Sequence, residues 1–228
     1  MWPQLPGKDF GRRRALRQSA AGPLHDYLAV PFPARASLCR DAEIVSLDLE
    51  TTGLDPASDR ILSIGTVTVR GMAVRLDTAW HQLVQVSRDI PEASAVIHRI
   101  TDDQSAQGLP LKQVLPDLLN RLTGKVVLVH HAAIEQQFID QACRTLYGSG
   151  FLAAMIDTEV LARRQFERCN QPYRPGDLRL SSLREHYQLP RYQAHNALSD
   201  ALATAELFLA IIAGMAMDHS VRLKDVLC

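Results

Sequence analysis

Asp48 and Glu50 are two carboxylates in one apolar run, Ile44-Val45-Ser46-Leu47-Asp48-Leu49-Glu50. The run alternates, so both carboxylates point to the same side of a strand. Within a buried strand such a pair is costly to desolvate unless a cation neutralises it. On an exposed edge strand the same pair is simply solvated. Thr51-Thr52-Gly53-Leu54 follows, a turn that lets backbone groups approach a ligand closely. A third acid, Glu135, ends the segment His130-His131-Ala132-Ala133-Ile134-Glu135. A fourth, Asp200, stands five residues after His195. If Asn196 caps a helix there, His195 lies on the preceding loop and Asp200 near the first turn, where a helix N-terminus favours the ionised carboxylate. An unperturbed histidine pKa near ~6.5 suits a general base. Oxygen-only ligands suit Mg²⁺ or Mn²⁺. For His130 and His131 the spacing favours packing and helix-start roles over zinc ligation, since no further Cys or His stands at ligand spacing.

The elements that must position these residues are legible as periods. Residues 44–50, 61–70 and 74–86 read as strands, the last two joined at Gly71 as a meander. Val126 to Val129 is a short continuous apolar run, expected of a central strand covered on both faces. Leu111, Leu115, Leu118 and Leu122 form a helical stripe, with Pro116 near its first turn or kinking it. Residues 132–147, 157–166, 181–187 and 196–213 read as helices. Residues 167–177 are polar, contain Pro172, Pro175 and Gly176, and read as a loop. Strands first, then strand and helices alternating, predict a mixed α/β domain with helices on both sheet faces.

The chain has 228 residues with 46% hydrophobic and 22% charged residues, a folding rather than a disordered composition. Its 25 basic and 25 acidic residues balance, which argues against coating nucleic acid by bulk charge. The balance hides an asymmetry. Residues 1–40 carry seven basic residues against Asp9 and Asp26, a net +5, so the remainder carries −5. The division expected is an N-terminal basic extension (1–40) before the main domain (41–228). Arg12 to Leu28 is helical in pattern, interrupted near Gly22-Pro23; a solvated arm or a helix packed on the body is favoured over a dedicated nucleic-acid arm, although its charge could hold substrate backbone or a partner. Four scattered cysteines without CxxC spacing argue against a disulfide framework. Arg12-Arg13-Arg14 is followed by no apolar signal region, and no apolar run of membrane-spanning length is read. A cytoplasmic protein with no membrane partner is expected.

Four segments together resemble the DnaQ-like DEDDh 3′-5′ exonuclease superfamily, the family of the proofreading epsilon subunit of bacterial DNA polymerase III, ribonuclease T and oligoribonuclease. Ser46 to Leu54 resembles its first motif, and Ile97-His98-Arg99-Ile100-Thr101 a segment beside its active site. His130 to Glu135 resembles the second motif, and His195 to Asp200 the third. The resemblance spans roughly residues 42–214. It implies a ribonuclease H-like mixed sheet flanked by helices. It also implies metal-dependent release of nucleoside monophosphates from a nucleic-acid 3′ end, by hydrolysis with two divalent ions. Asp48, Glu50, Glu135 and Asp200 would hold the metal, His195 would be the base, and Thr51, Gly53, Leu54 and His98 would contact the terminal nucleotides. Core packing is the competing role for Leu54, and a surface polar group that for His98. The second motif departs from the family pattern: His131 and Glu135 stand where Asn and Asp are usual. Glutamate keeps the charge and adds a methylene. Asp140, one turn on, is the fallback acid, with a plain surface role favoured. Single-stranded DNA is favoured over RNA as substrate. Alternatives are a subunit bound to a polymerase or other repair partner, an exoribonuclease, and a non-catalytic nucleic-acid-binding module.

Overall fold

The alternating run forms strand β1 (Ile44–Thr51). Its Val45, Leu47 and Leu49 face one apolar core, while Ser46, Asp48 and Glu50 face the other side of the sheet. In the computed structural model, which describes residues 8–86, 100, 102–192, 195–215 and 221–228, β1 is buried on both faces. An exposed edge position for Asp48 and Glu50 is thereby excluded.

β2 (Ile61–Arg70) and β3 (Ala73–Gln85) form the expected meander, β2 pairing antiparallel with both β1 and β3. Two residues, β4 (Leu109–Pro110), pair parallel with the end of β3. β5 (Val126–Val129) runs parallel to β1 and is wholly buried. β6 (Met155–Asp157) pairs parallel with β5. The sheet order is β4-β3-β2-β1-β5-β6. At three residues, β6 is too short for a periodic signal in sequence.

Helices α1 (Lys8–Gln18) and α2 (Pro23–Ala29) come from the extension, and a short α3 (Asp102–Ala106) precedes β4. α4 (Leu111–Leu122), with Pro116 inside it, and α5 (Ala132–Tyr147) cover the face carrying Val45 and Leu47. α6 (Thr158–Arg168), α7 (Leu180–His186), α8 (Ala197–Met215) and α9 (Leu223–Val226) follow. α6, α7 and α8 supply the other core, around Ile44, Val67, Val126 and Leu128. The polar loop between α6 and α7 contains a 3₁₀ turn over Pro175–Leu178.

One sequence expectation changes. α8 has 19 residues and a mean hydropathy of 1.6, enough by length and composition to cross a membrane. Its Ala201, Ala203, Ala205, Leu207, Phe208 and Ile211 are instead buried, and the helix packs on β1 and β2. Ala201 accepts a hydrogen bond from the buried Ser46 hydroxyl at 2.7 Å. The extension also contributes to the interior. Leu24, Tyr27 and Leu28 of α2 belong to the α4–α5 core, and the buried Arg12 guanidinium bonds the Leu28 carbonyl and Asp9.

Residues 35–39 and 221–228 are stitched together. Leu38 bridges Arg222, Cys39 N–H bonds the Val221 carbonyl at 2.9 Å, and Leu223 N–H bonds the Ser37 carbonyl at 2.9 Å. Leu227 bridges Ile156, so this clasp covers the outer edge of β6.

Candidate active site

Asp48 and Glu50 lie opposite Gly65 and Ser63 of β2 in register. Gly65 decides what sits above them. A Cβ there would stand 2.2 Å from the Ala197 carbonyl carbon. Glycine therefore lets the start of α8 rest on the sheet beside Asp48. Asn196 caps that start, its Oδ1 accepting from Ser199 N–H at 3.1 Å. Asp200 is thus held over the pair. Carboxylate oxygens of Asp48, Glu50 and Asp200 all lie within 4.8 Å of one another.

Glu135, in the first turn of α5, lies outside that set of three but near enough to interact electrostatically with Asp48 and Glu50. It is 4% exposed, and its Oε2 has no hydrogen-bond partner among the described residues. Burial, reinforced by the charges of Asp157 and Glu50, pushes its pKa up to about 8. Asp48 is raised well above the usual carboxylate range by burial and by Glu135, Glu50 and Asp200. Asp200 is raised chiefly by burial. Asp48, Glu135 and Asp200 are thus all shifted toward holding protons in the absence of a cation, which is the behaviour of a cation site.

His195 has a left-handed backbone, φ 69°, and an exposed side chain. Its N–H donates to Asp200 Oδ2 at 2.7 Å, fixing the loop to the first turn of α8. His131 also is left-handed, φ 77°, at the start of α5. His130 Nδ1 meets Thr158 Oγ1 at 2.8 Å, and His131 Nδ1 meets Glu159 Oε2 at 2.8 Å. Both are used in packing α5 against α6. Asp140 pairs with Arg144 Nε at 2.6 Å and accepts from Phe151 N–H at 2.9 Å, away from the cluster.

Asp157 was not singled out by sequence. Its carboxylate accepts from His131 and Ala132 N–H at 3.1 and 2.8 Å, and from Glu159 N–H at 2.9 Å. One side chain thus satisfies the first N–H groups of two helices, α5 and α6. An Asp directly before a helix was the available signal.

In the turn after β1, Thr51 Oγ1 bonds the Gly53 carbonyl at 2.6 Å. Asp59 accepts from Thr52 Oγ1 and Asp55 N–H, each at 3.0 Å. A Cβ on Gly53 would fall 2.4 Å from an Asp59 oxygen, so glycine permits this compact turn. Leu54 is 75% exposed, which removes core packing as its role. His98 lies outside the described residues. An open cleft of about 840 Å³ joins Asp48, Asp200 and His195 to Arg179, Tyr192 and His131.

The chain is similar to known proteins. The chain is 31% identical over 186 residues to a DNA polymerase III PolC-type protein of Thermotoga maritima, covering 82% of this chain and 13% of that relative. It is 29% identical over 170 residues to the DNA polymerase III subunit epsilon of Treponema pallidum, covering 74% of this chain and 75% of the relative. Among solved structures, exonuclease X in complex with 5′ overhanging duplex DNA matches with a TM-score of 0.59 at 24% identity, over 75% of this chain and 92% of that one. The nuclease domain of 3′hExo, a DEDDh family member bound to rAMP, matches with a TM-score of 0.65 at 15% identity, over 78% and 95%. These structures share the fold. The RNase_T exonuclease family matches residues 45–208, from β1 to α8, and the chain belongs to that family.

Proposed function

We propose that this chain is a 3′-5′ exonuclease that removes nucleoside monophosphates from a nucleic-acid strand by metal-dependent hydrolysis. The observation that carries the reading is the convergence of Asp48, Glu50 and Asp200 within 4.8 Å, beside buried Glu135 and under the His195 loop. The donors fit divalent Mg²⁺ or Mn²⁺: all are carboxylate oxygens, and the Oε2 of Glu135 is buried without a partner among the described residues. When bound, two such ions stabilise charge on the attacking and leaving oxygens.

The chain's own residues do the rest. Asp48, Glu50 and Asp200 hold the ions directly, and Glu135 completes the set, through water where its extra methylene requires. His195 takes the proton of the attacking water and stands at the cleft's mouth to do so. Thr51 and Gly53 present backbone to the terminal nucleotide, with Leu54 against its base and His98 as a further contact. DNA is the favoured substrate, supported by the polymerase relatives and by the DNA complex of exonuclease X.

A 5′-labelled single strand incubated with Mn²⁺ should shorten one nucleotide at a time, faster as DNA than as RNA. Asp200→Asn should stop the reaction with the circular dichroism spectrum unchanged. An intact labelled strand with the wild-type protein, or undiminished cleavage by the variant, refutes the reading. The polymerase relatives also favour a proofreading partnership, which co-purification with a polymerase subunit would establish.

A further inference from the structure

His195 is an exposed residue of the cleft. Its left-handed backbone must be imposed by its surroundings. On the C-terminal side Asp200 and Asn196 do this. A second anchor lies on the N-terminal side, three residues earlier.

Arg184 of α7 is 4% exposed, an unusual place for a guanidinium. Its Nη1 donates to the Ala203 carbonyl of α8 at 2.8 Å. Its Nη2 donates to the Pro190 carbonyl at 2.7 Å and to Glu206 Oε2 at 2.9 Å. The guanidinium also lies over the Tyr192 ring, 4.5 Å from its centroid. Tyr192 closes the figure, its hydroxyl donating to the other Glu206 oxygen at 2.7 Å. Helix α7, helix α8 and the loop between them therefore meet at one buried charge.

A buried ion pair contributes little net stability relative to apolar packing, because desolvation offsets the attraction. What it does supply is geometry, since a planar fork accepts few arrangements. Tyr192, Arg184 and His195 line the same cleft as Asp48 and Asp200. We propose that Arg184, Glu206 and Tyr192 form a positioning clamp that sets the loop carrying His195 over the carboxylate cluster. The three act through His195 and need not touch substrate. This rests on the reading of His195 as the base.

The test is a double-mutant cycle on the full chain. Tyr192→Phe keeps the ring over Arg184 and removes only the bond to Glu206. With Mn²⁺ and a labelled oligonucleotide, it should lower kcat about 10- to 10²-fold and leave KM unchanged, the signature of a displaced catalytic group. In a His195→Ala background the same change should cost nothing. Glu206→Gln, which keeps the shape, should repeat both results. Independently of activity, the His195 imidazole resonances should shift or broaden in Tyr192→Phe, with those of His130 unmoved. Equal losses in both backgrounds would overturn the clamp, as would a raised KM at constant kcat, which would make Tyr192 a base platform. If the wild-type protein hydrolyses nothing, the functional reading falls by itself. The imidazole spectrum then decides the clamp, and an unchanged His195 signal rejects it.

Discussion

Glu135 is a carboxyl that holds its proton in the folded protein, at about 8 against an ordinary 4.5. The proton is bound more tightly folded than unfolded. The stability it brings is complete below about pH 4.5 and is lost as pH rises through about 8. Asp48 and Asp200 are shifted in the same direction. The metal-free protein should therefore melt at a lower temperature at about pH 8 than at about pH 5, and Mn²⁺ should raise Tm more at the higher pH. Glu135→Gln keeps the shape and removes the charge. It should raise Tm in chelator at about pH 8 and weaken the rise on adding Mn²⁺. Differential scanning fluorimetry measures both. A Tm that climbs with pH in chelator would contradict the assignment of buried, mutually repelling acids.

Among elements, the start of α8 matters most, because Gly65 fixes its height above β1. Gly65→Ala should push Ala197 outward, destabilise the fold by roughly 1–3 kcal/mol and lower exonuclease activity by about 10²-fold. Urea unfolding and the strand-shortening assay read the two effects. Asp157→Ala should cost about 1–3 kcal/mol, since it strips N–H acceptors from the starts of both α5 and α6. That cost is read from the urea midpoint. Neither residue stood out in sequence, though most elements did. β1, β2, β3 and β5 follow from period, and α5 over residues 132–147 was read at its observed bounds. A glycine in a strand says that something comes close, but not what. The Arg184–Glu206–Tyr192 cluster is on two helices and a loop, so no local spacing marks it. α8 misleads in the opposite way. Its alanine-rich sequence is apolar on most sides because it is wedged against a sheet, and composition alone does not distinguish that from a membrane segment.

At the scale of the molecule, the acids gather where β1 and β5 end, while the basic extension lies elsewhere. Gly11 of α1 is near Leu152, Tyr27 bonds the Leu152 carbonyl at 2.8 Å, and Val30 approaches Gly124. Residues 124 and 152 precede β5 and β6, whereas His130 follows β5 and Asp157 ends β6 toward the site. The extension's positive charge is thus set at the opposite end of these strands from the carboxylates. Its +5 balances the chain's arithmetic without neutralising the cluster, and cations remain the means of doing that. Deleting residues 1–40 would remove Leu24, Tyr27 and Leu28 from the interior, so the deletion should lower Tm and not only alter substrate affinity.

The stitching of residues 35–39 to 221–228 carries a kinetic consequence. Segments 186 residues apart share hydrogen bonds, as between Arg222 and the Ala36 carbonyl, so neither can peel away alone. Opening one exposes the backbone edge of β6 and frees the other. In native-state hydrogen exchange the amides of Cys39, Leu223, Leu227 and Cys228 should therefore exchange as one cooperative unit, with a common opening free energy and a common response to denaturant.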